Sequence, residues 1–564
     1  MKRFLVVCLI ATVTLAHADT SKLSPDLQKY SGSKARVVVQ YNQTPGLLDL
    51  QAITGLLGSI VSALPLVNSI VADLPIANIL SLSNQSNVKY ISLDRTLAPT
   101  LSNAAPAVNA PSAWLSGYTG AGIGVALIDS GVASHPDLNG GFLGLSRVIY
   151  SQSFVPGVSS ASDLYGHGTH IAGLIAGNGA SSTGSKYSRT FEGVAPKANL
   201  INLRVLDQNG MGSDSAVIAA ISQAIALKGL LNIRVINLSL GRPVYESYKF
   251  DPVCQAAEAA WRSGIVVVVA AGNNGRYQPT NGYATVASPG NDPYVITVGA
   301  MKTMGTPART DDLIASYSSK GPTAIDHVVK PDVVAPGNML VSLGEQGTLY
   351  NEYPANRVPY SFYTTGGTSA PSSSYFSLSG TSMAAGVVSG VVADLLQKSP
   401  QLTPDQVKAR LMKTAWKSFP AFSSVTDPAT GVTYTDQYDV FTVGAGYIDV
   451  EAALNSTYLA TKSAKSPTAQ YDPTSHNVYM VFDSSSVWGS SAMWGSSAVW
   501  GATQFTSASS AMWGSSAMWG SSAMWGSSTS SGFGTVWAAS AMWGSSAMWG
   551  SSAMWGSSAA GGEK

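Results

Sequence analysis

Cysteine is almost missing: Cys8 and Cys254 are the two in 564 residues. Cys8 falls in an N-terminal leader, so the mature chain keeps one thiol and no intrachain disulfide can form. Charge is scarce too. Charged residues are 11% of the chain and the net charge is +1. That removes any electrostatic case for nucleic acid or an anionic membrane. Spanning segments are lacking as well. The Leu- and Ile-rich stretch from 47 to 82 is interrupted by Pro65, Asp73 and Pro75. From Ser484 to Gly562 there is no charged residue at all.

What is present begins with the leader. Lys2 and Arg3 precede an apolar run from Phe4 to Leu15, and Ala16-His17-Ala18 supplies small residues at the cleavage positions. The run is too short to cross a bilayer. It reads as a secretory signal peptide cut after Ala18. The implied location is extracellular.

Residues 19–105 read as a small α+β unit. Strands are expected at Ala35–Tyr41, Val67–Asp73 and Val88–Leu93, with helices over Leu47–Val61 and near Ile76–Leu82. That order suits a split βαβ, ferredoxin-like arrangement. Ala98–Pro111 reads as an exposed linker where processing would fall.

Residues 106–456 alternate apolar strands with helices. Strand-length runs lie at Gly124–Ile128, Leu200–Leu206, Val235–Leu240, Ile265–Ala271 and Val295–Val298. Helices are expected over Ser213–Lys228, Pro252–Ser263, Ser382–Lys398 and Thr403–Thr414. Runs apolar on both faces belong to a parallel sheet covered by helices, so a doubly wound α/β domain is expected. Ligands bind at the carboxyl ends of such strands, where Asp129 and Asn273 stand.

Three blocks carry chemistry: Val125-Ala126-Leu127-Ile128-Asp129-Ser130-Gly131, Gly166-His167-Gly168-Thr169-His170 and Gly380-Thr381-Ser382-Met383-Ala384-Ala385. A serine hydroxyl needs a base within reach, and the base needs a partner that fixes its tautomer. Asp129, His167 and Ser382 supply these types, each in a small-residue frame. Ser382 opens a helix, where free N–H groups favour a developing oxyanion. Taken singly, each residue could be a turn or a cap. Together, in the order Asp, His, Ser, they resemble the subtilisin-like serine peptidases.

That resemblance implies peptide-bond hydrolysis through an acyl-enzyme, with Asp129, His167 and Ser382 as the triad. It assigns the oxyanion donors to Asn273, in Val269-Ala270-Ala271-Gly272-Asn273, and to the Ser382 N–H. It places substrate along Gly210-Met211-Gly212, Ser239-Leu240-Gly241 and Ala271-Gly272. His135 and His170 are assigned no catalytic part. The unit at 19–105 becomes a folding-assisting, inhibitory propeptide, and the chain a self-processing zymogen acting on proteins or peptides.

There are departures. Gly386 stands where the family usually has Pro, and an insertion rich in Tyr, Ser and Gly lies between Pro336 and Gly380, expected as a loop near the cleft. No organic cofactor is implied. Asp137 matches a position that helps bind calcium in some relatives, but the loop from Asn178 to Gly193 does not reproduce the rest, so no metal ligand is assigned.

After a linker at 457–483, the tail at 484–564 repeats Ser-Ser-Ala-Met-Trp-Gly, with Trp at 488, 494, 500, 513, 519, 525, 537, 543, 549 and 555. A period of six puts every indole on one face of an extended strand and scatters them on a helix. The tail is expected to be extended if ordered, and to hold a surface, a polymer or itself. Two rival functions follow. One is a transpeptidase, in which an amine replaces water. The other is a surface adhesive or structural protein whose protease domain serves only self-processing.

Overall fold

The computed structural model describes residues 20–23, 25–28, 30–64, 68–93, 104–141, 144–427, 430–472, 477–483, 485–487, 504–507 and 563. The leader, residues 94–103 and nearly all of the Trp repeats lie outside these. The chain divides into two units, Met1–Ala98 and Pro99–Lys564.

The first unit is a four-stranded antiparallel sheet with two helices of eight or nine residues, preceded by short helical turns at Thr20–Lys22 and Pro25–Gln28. Its elements run β1 (Lys34–Tyr41), α1 (Leu47–Gly55), β2 (Ser59–Leu64), β3 (Ser69–Pro75), α2 (Ile76–Ser83) and β4 (Val88–Leu93). The strand order is β2-β3-β1-β4. That is the split βαβ arrangement. In β1, Ala35, Val37, Val39 and Tyr41 alternate inward, as a half-buried strand requires. They pack against Ile70, Ala72, Ile79, Leu82 and Ile91.

One expectation fails here. The helix expected over Leu47–Val61 stops at Gly55, and Ser59–Leu64 is a strand. Leu57 takes a left-handed φ of 59°, and a Cβ on Gly58 would meet the Ile53 carbonyl oxygen at 2.8 Å. The chain must therefore turn, and the β-branched Ile60 and Val61 then favour a strand.

The second unit is built on an eight-stranded sheet. Its strands are β5 (Gly124–Asp129), β6 (Val148–Ser153), β7 (Asn199–Arg204), β8 (Ile233–Leu238), β9 (Val266–Ala270), β10 (Ile296–Lys302), β11 (Leu313–Ile314) and β12 (Val333–Pro336). The order is β11-β10-β9-β8-β5-β7-β6, with β12 also on β10. All pairings are parallel except β10 with β11. Every residue of β5, β9 and β10 is buried, which is why these strands read as continuous apolar runs.

Four helices matter to the site: α3 (His167–Ala176), α4 (Asp214–Leu231), α5 (Pro252–Arg262) and α6 (Thr381–Lys398). Helix α6 is buried from Thr381 to Leu396 and packs against β8, β9, β10 and α3. Gly386, in place of the usual Pro, does not interrupt it; the site of its missing Cβ faces Ile171 at 3.2 Å.

Three segments differ from expectation. From residue 104 the supposed exposed linker is helical, and Ala104, Ala105, Ala107, Val108 and Ala110 are buried. Small Ala side chains fit against the core there, and Asn109 Nδ2 donates to both carboxylate oxygens of Asp449 at 3.1 Å. The Tyr-rich insertion is a three-stranded antiparallel sheet of β13 (Leu340–Leu343), β14 (Arg357–Pro359) and β15 (Pro371–Leu378). Tyr363 and Tyr375 are fully buried and meet edge to face. The segment taken as a linker, 457–483, holds a hairpin that ends with Thr468–Asp472 paired to Asn477–Phe482. Its Ser466 hydroxyl donates to buried Asp332 at 2.6 Å, and Lys408 Nζ donates to Ser466 at 2.8 Å. From the tail, Gln504–Ser507 adds a parallel strand to that hairpin.

Candidate active site

Three elements carry the candidate triad. Asp129 is the last residue of β5, His167 the first of α3, and Ser382 the second of α6. All three side chains are buried. His167 Nδ1 bonds Asp129 Oδ1 at 2.8 Å. The Ser130 N–H also donates to that oxygen, at 2.7 Å. Asp129 Oδ2 has no hydrogen-bond partner among the described residues.

Burial disfavours a protonated His167. The charge and hydrogen bond of Asp129, with a further contribution from Asp163, outweigh it and hold the imidazole pKa above its usual 6.5. His170 differs. Its Nε2 donates to the carbonyls of Leu340 and Phe376 at 3.0 and 3.2 Å, and burial pushes its pKa down to about 3. It stays neutral and ties α3 to the inserted sheet. His135 accepts from the Asp137 N–H at 3.1 Å and its Nε2 meets the Ser374 carbonyl.

The Ser382 hydroxyl does not meet His167. It donates to the Ser239 carbonyl oxygen at 3.1 Å, while Ser239 Oγ donates back to the Ser382 carbonyl at 2.8 Å. Asn237 supports this ladder, donating to Ser239 Oγ and accepting from Ser389 Oγ, each at 2.9 Å. The end of β8 is thereby laced to α6.

Asn273 is pinned from one side. Its Oδ1 accepts from the Thr381 N–H at 2.9 Å and the Thr381 hydroxyl at 3.1 Å. That hydroxyl also accepts from the Gly272 N–H at 3.0 Å. With Oδ1 committed, Nδ2 has no acceptor among the described residues and can donate to a ligand. The Ser382 N–H, in the first turn of α6, is equally unused.

Beside the triad lies a cavity of about 140 Å³. Gly210, Met211 and Gly212 form one wall and Ser239, Leu240 and Gly241 the other, with Leu206, Val217 and Val253 at the base. The main-chain groups of Gly212, Leu240 and Gly241 make no hydrogen bonds among the described residues. Ala271 and Gly272 stand apart from this cavity, at the end of β9, where they fix Asn273.

Several site residues went unassigned in the sequence. Asp163 accepts from Ser130 Oγ, the N–H groups of Tyr165 and Gly166, and both the N–H and hydroxyl of Thr169. It caps α3 from outside the helix. Its signal was an acid four residues before His167, too ordinary to weigh alone. Thr381 was quoted within its block but given no part. Arg242 and Asp214 pair at 2.9 Å in the cavity wall. Asp137 accepts from Tyr375 Oη and the Ser181 N–H, at 2.6 and 2.7 Å. Its carboxylate is thus engaged, and among the described residues no cluster of three His, Cys, Asp or Glu could hold a metal.

Residues 120–446 match the model of the subtilase family. Serine protease AprX of Bacillus subtilis is 37% identical over 337 residues, covering 58% of this chain and 70% of that protein. Subtilisin DY of Bacillus licheniformis is 34% identical over 357 residues, covering 63% and 99%. Subtilisin E of Bacillus subtilis is 32% identical over 424 residues, covering 73% and 94%. The chain belongs to the subtilase family and is a serine-type endopeptidase.

Proposed function

We propose that this endopeptidase is a secreted, self-processing zymogen that hydrolyses proteins through an acyl-enzyme, with Asp129, His167 and Ser382 as its triad. The observation that carries the reading is the 2.8 Å bond between Asp129 and His167. It fixes the tautomer with Nδ1–H toward Asp129 and leaves Nε2 to act as a base. A peptide strand enters along Gly210–Gly212 and Ser239–Gly241, where the open main-chain groups of Gly212, Leu240 and Gly241 suit strand addition. The apolar cavity between them takes an apolar side chain.

Ser382 then rotates from the Ser239 carbonyl to His167 Nε2. Its Oγ forms a bond to the scissile carbon as its proton passes to His167. The oxyanion rests on Asn273 Nδ2 and the Ser382 N–H. His167 returns the proton to the leaving amine, the C–N bond breaks, and water repeats the sequence on the ester. The signal peptide (1–18) directs export. The unit at 19–105 serves as inhibitor and folding aid to residues 106–456, and the repeat tail attaches the enzyme to a surface or polymer. No organic cofactor takes part, and no calcium ligand is proposed.

The test compares intact mass and peptide hydrolysis for the precursor and for Ser382→Ala. The reading expects the wild type to shed about 80 to 90 N-terminal residues beyond the leader, a small domain's worth, and to cleave peptide. Ser382→Ala stays whole and inert. Identical behaviour of the two chains would sink it.

A further inference from the structure

Lys302 closes β10 with its side chain 6% exposed. A buried ammonium is costly without a counter-charge. Its ion-pair partner among the described residues is Glu563, one residue from the end of the chain, at 3.1 Å. The Glu563 side chain is 2% exposed and the rest of its surroundings are equally specific. Arg276 Nη2 donates to Oε1 at 2.7 Å, and the Ser316 N–H donates to the same oxygen at 3.0 Å, joined by the Ser316 hydroxyl. Asn338 completes the seat through the main chain. Its Nδ2 donates to the Glu563 carbonyl at 2.7 Å, and its Oδ1 accepts from the Glu563 N–H at 2.9 Å.

The receiving groups come from four separate stretches: the turn after Asn273, the end of β10, the turn after β11 and the turn after β12. Such convergence of two cations, a hydroxyl and a main-chain N–H on one carboxylate is a built anion site. Burial alone would raise the Glu563 pKa. Ser316, Lys302 and Arg276 reverse that and keep the carboxylate ionised.

We propose that Arg276, Lys302, Ser316 and Asn338 form a carboxylate seat for Glu563, by which the segment beyond the Trp repeats is retained on the peptidase unit. The ligand class is an acidic residue of a peptide, and the resident ligand is Glu563. Recognition of both the main chain and the side chain of one residue makes the seat selective for peptide over free anions.

The test uses the full chain carrying Ser382→Ala, so that self-cleavage cannot trim it. Carboxypeptidase Y is added and the C-terminus is followed by intact mass, each trimming rate being divided by that of the same chain unfolded in urea. Wild-type sequence should lose Lys564 and then stall, with trimming past residue 563 slowed at least about tenfold, because cleavage must await local opening. Lys302→Met has an identical C-terminus but lacks the counter-charge, and it should be trimmed through. Glu563→Gln should behave likewise, and its position at the chain end keeps it informative if Lys302→Met does not fold. Unslowed trimming of the wild-type sequence, or a stall at 563 in a folded Lys302→Met or in Glu563→Gln, would overturn the proposal.

Discussion

Ser382 and Ser239 exchange hydrogen bonds: the hydroxyl of Ser382 reaches the Ser239 carbonyl, and the hydroxyl of Ser239 reaches the Ser382 carbonyl. The hydroxyl of Ser382, the proposed nucleophile, is therefore held against the residue that follows β8. Ser239→Ala keeps the carbonyl but removes the bond that steadies the first turn of α6. It also leaves Asn237 Nδ2 without its acceptor. The expected result is a fall in kcat of about tenfold, near the 1.4 kcal/mol scale of one neutral hydrogen bond. Steady-state kinetics on a peptide substrate measure it, and an unchanged kcat would show the ladder to be idle.

Asn273 offers a sharper case. Oδ1 is fixed by Thr381, which leaves Nδ2 free to donate to the oxyanion of the proposed reaction. Asn273→Ala should lower kcat by about 100- to 1000-fold with little change in KM, the range known for the corresponding donor in subtilisin and carried over from that relative. Thr381→Val should lower kcat too, by less, since it removes the hydroxyl's bond to Oδ1 and leaves the N–H bond and the amide itself in place. Equal rates for Asn273→Ala and wild type would remove Asn273 from the chemistry.

The pH profile follows from His167. Its pKa lies above 6.5 because Asp129 and Asp163 together outweigh burial. The base must be neutral, so kcat/KM should rise with pH along an acid limb centred above 6.5. Stability runs the other way. A raised histidine pKa contributes stability that is complete below about 6.5 and disappears as pH rises through the folded value. Urea midpoints of wild type and His167→Ala should thus converge as activity appears. A limb centred below 6.5 would contradict the arrangement.

Gly168 sets a steric limit. A Cβ at this position would be driven onto the Gly131 carbonyl oxygen, a backbone atom with no side-chain freedom. Gly168→Ala must therefore push α3, and His167 with it, away from β5. The Asp129 bond should lengthen, activity should fall by more than about tenfold, and the melting temperature should drop, since overpacking costs roughly 1–3 kcal/mol. Wild-type kinetics in this variant would mean that the loop yields freely.

The sheet and the pairing of Asp129 with His167 were legible because their signals are local. Gly124–Ile128 and Ile265–Ala271 read as buried strands from their continuous apolar runs, and Asp129, His167 and Ser382 each carry a frame of small neighbours. What was illegible depends on tertiary partners. Ala104–Ala110 looks like a linker until Asp449 and the core are present to hold it. The strand at Ser59–Leu64 was hidden by apolar residues that suit a helix equally well. Lys302, Ser316 and Asn338 have no common motif, and only the fold brings them to Glu563.

Asp163 shows the same limit within the site, and it supports the last prediction. One buried carboxylate receives five hydrogen bonds from Ser130, Tyr165, Gly166 and Thr169, so it joins the strand end bearing Asp129 to the helix start bearing His167. Asp163→Ala leaves all five donors without that acceptor in a buried setting. Bonds to charged groups contribute about 1.5–3 kcal/mol each, and they are not additive, so a loss of more than about 3 kcal/mol is expected from urea unfolding. Asp163→Asn retains shape and one acceptor oxygen and should recover part of it. Loss of the Asp163 charge also removes one of the influences that raise the His167 pKa. The acid limb of the Asn variant should therefore move to lower pH while kcat falls. A purely structural part for Asp163 would lower stability and leave the limb in place.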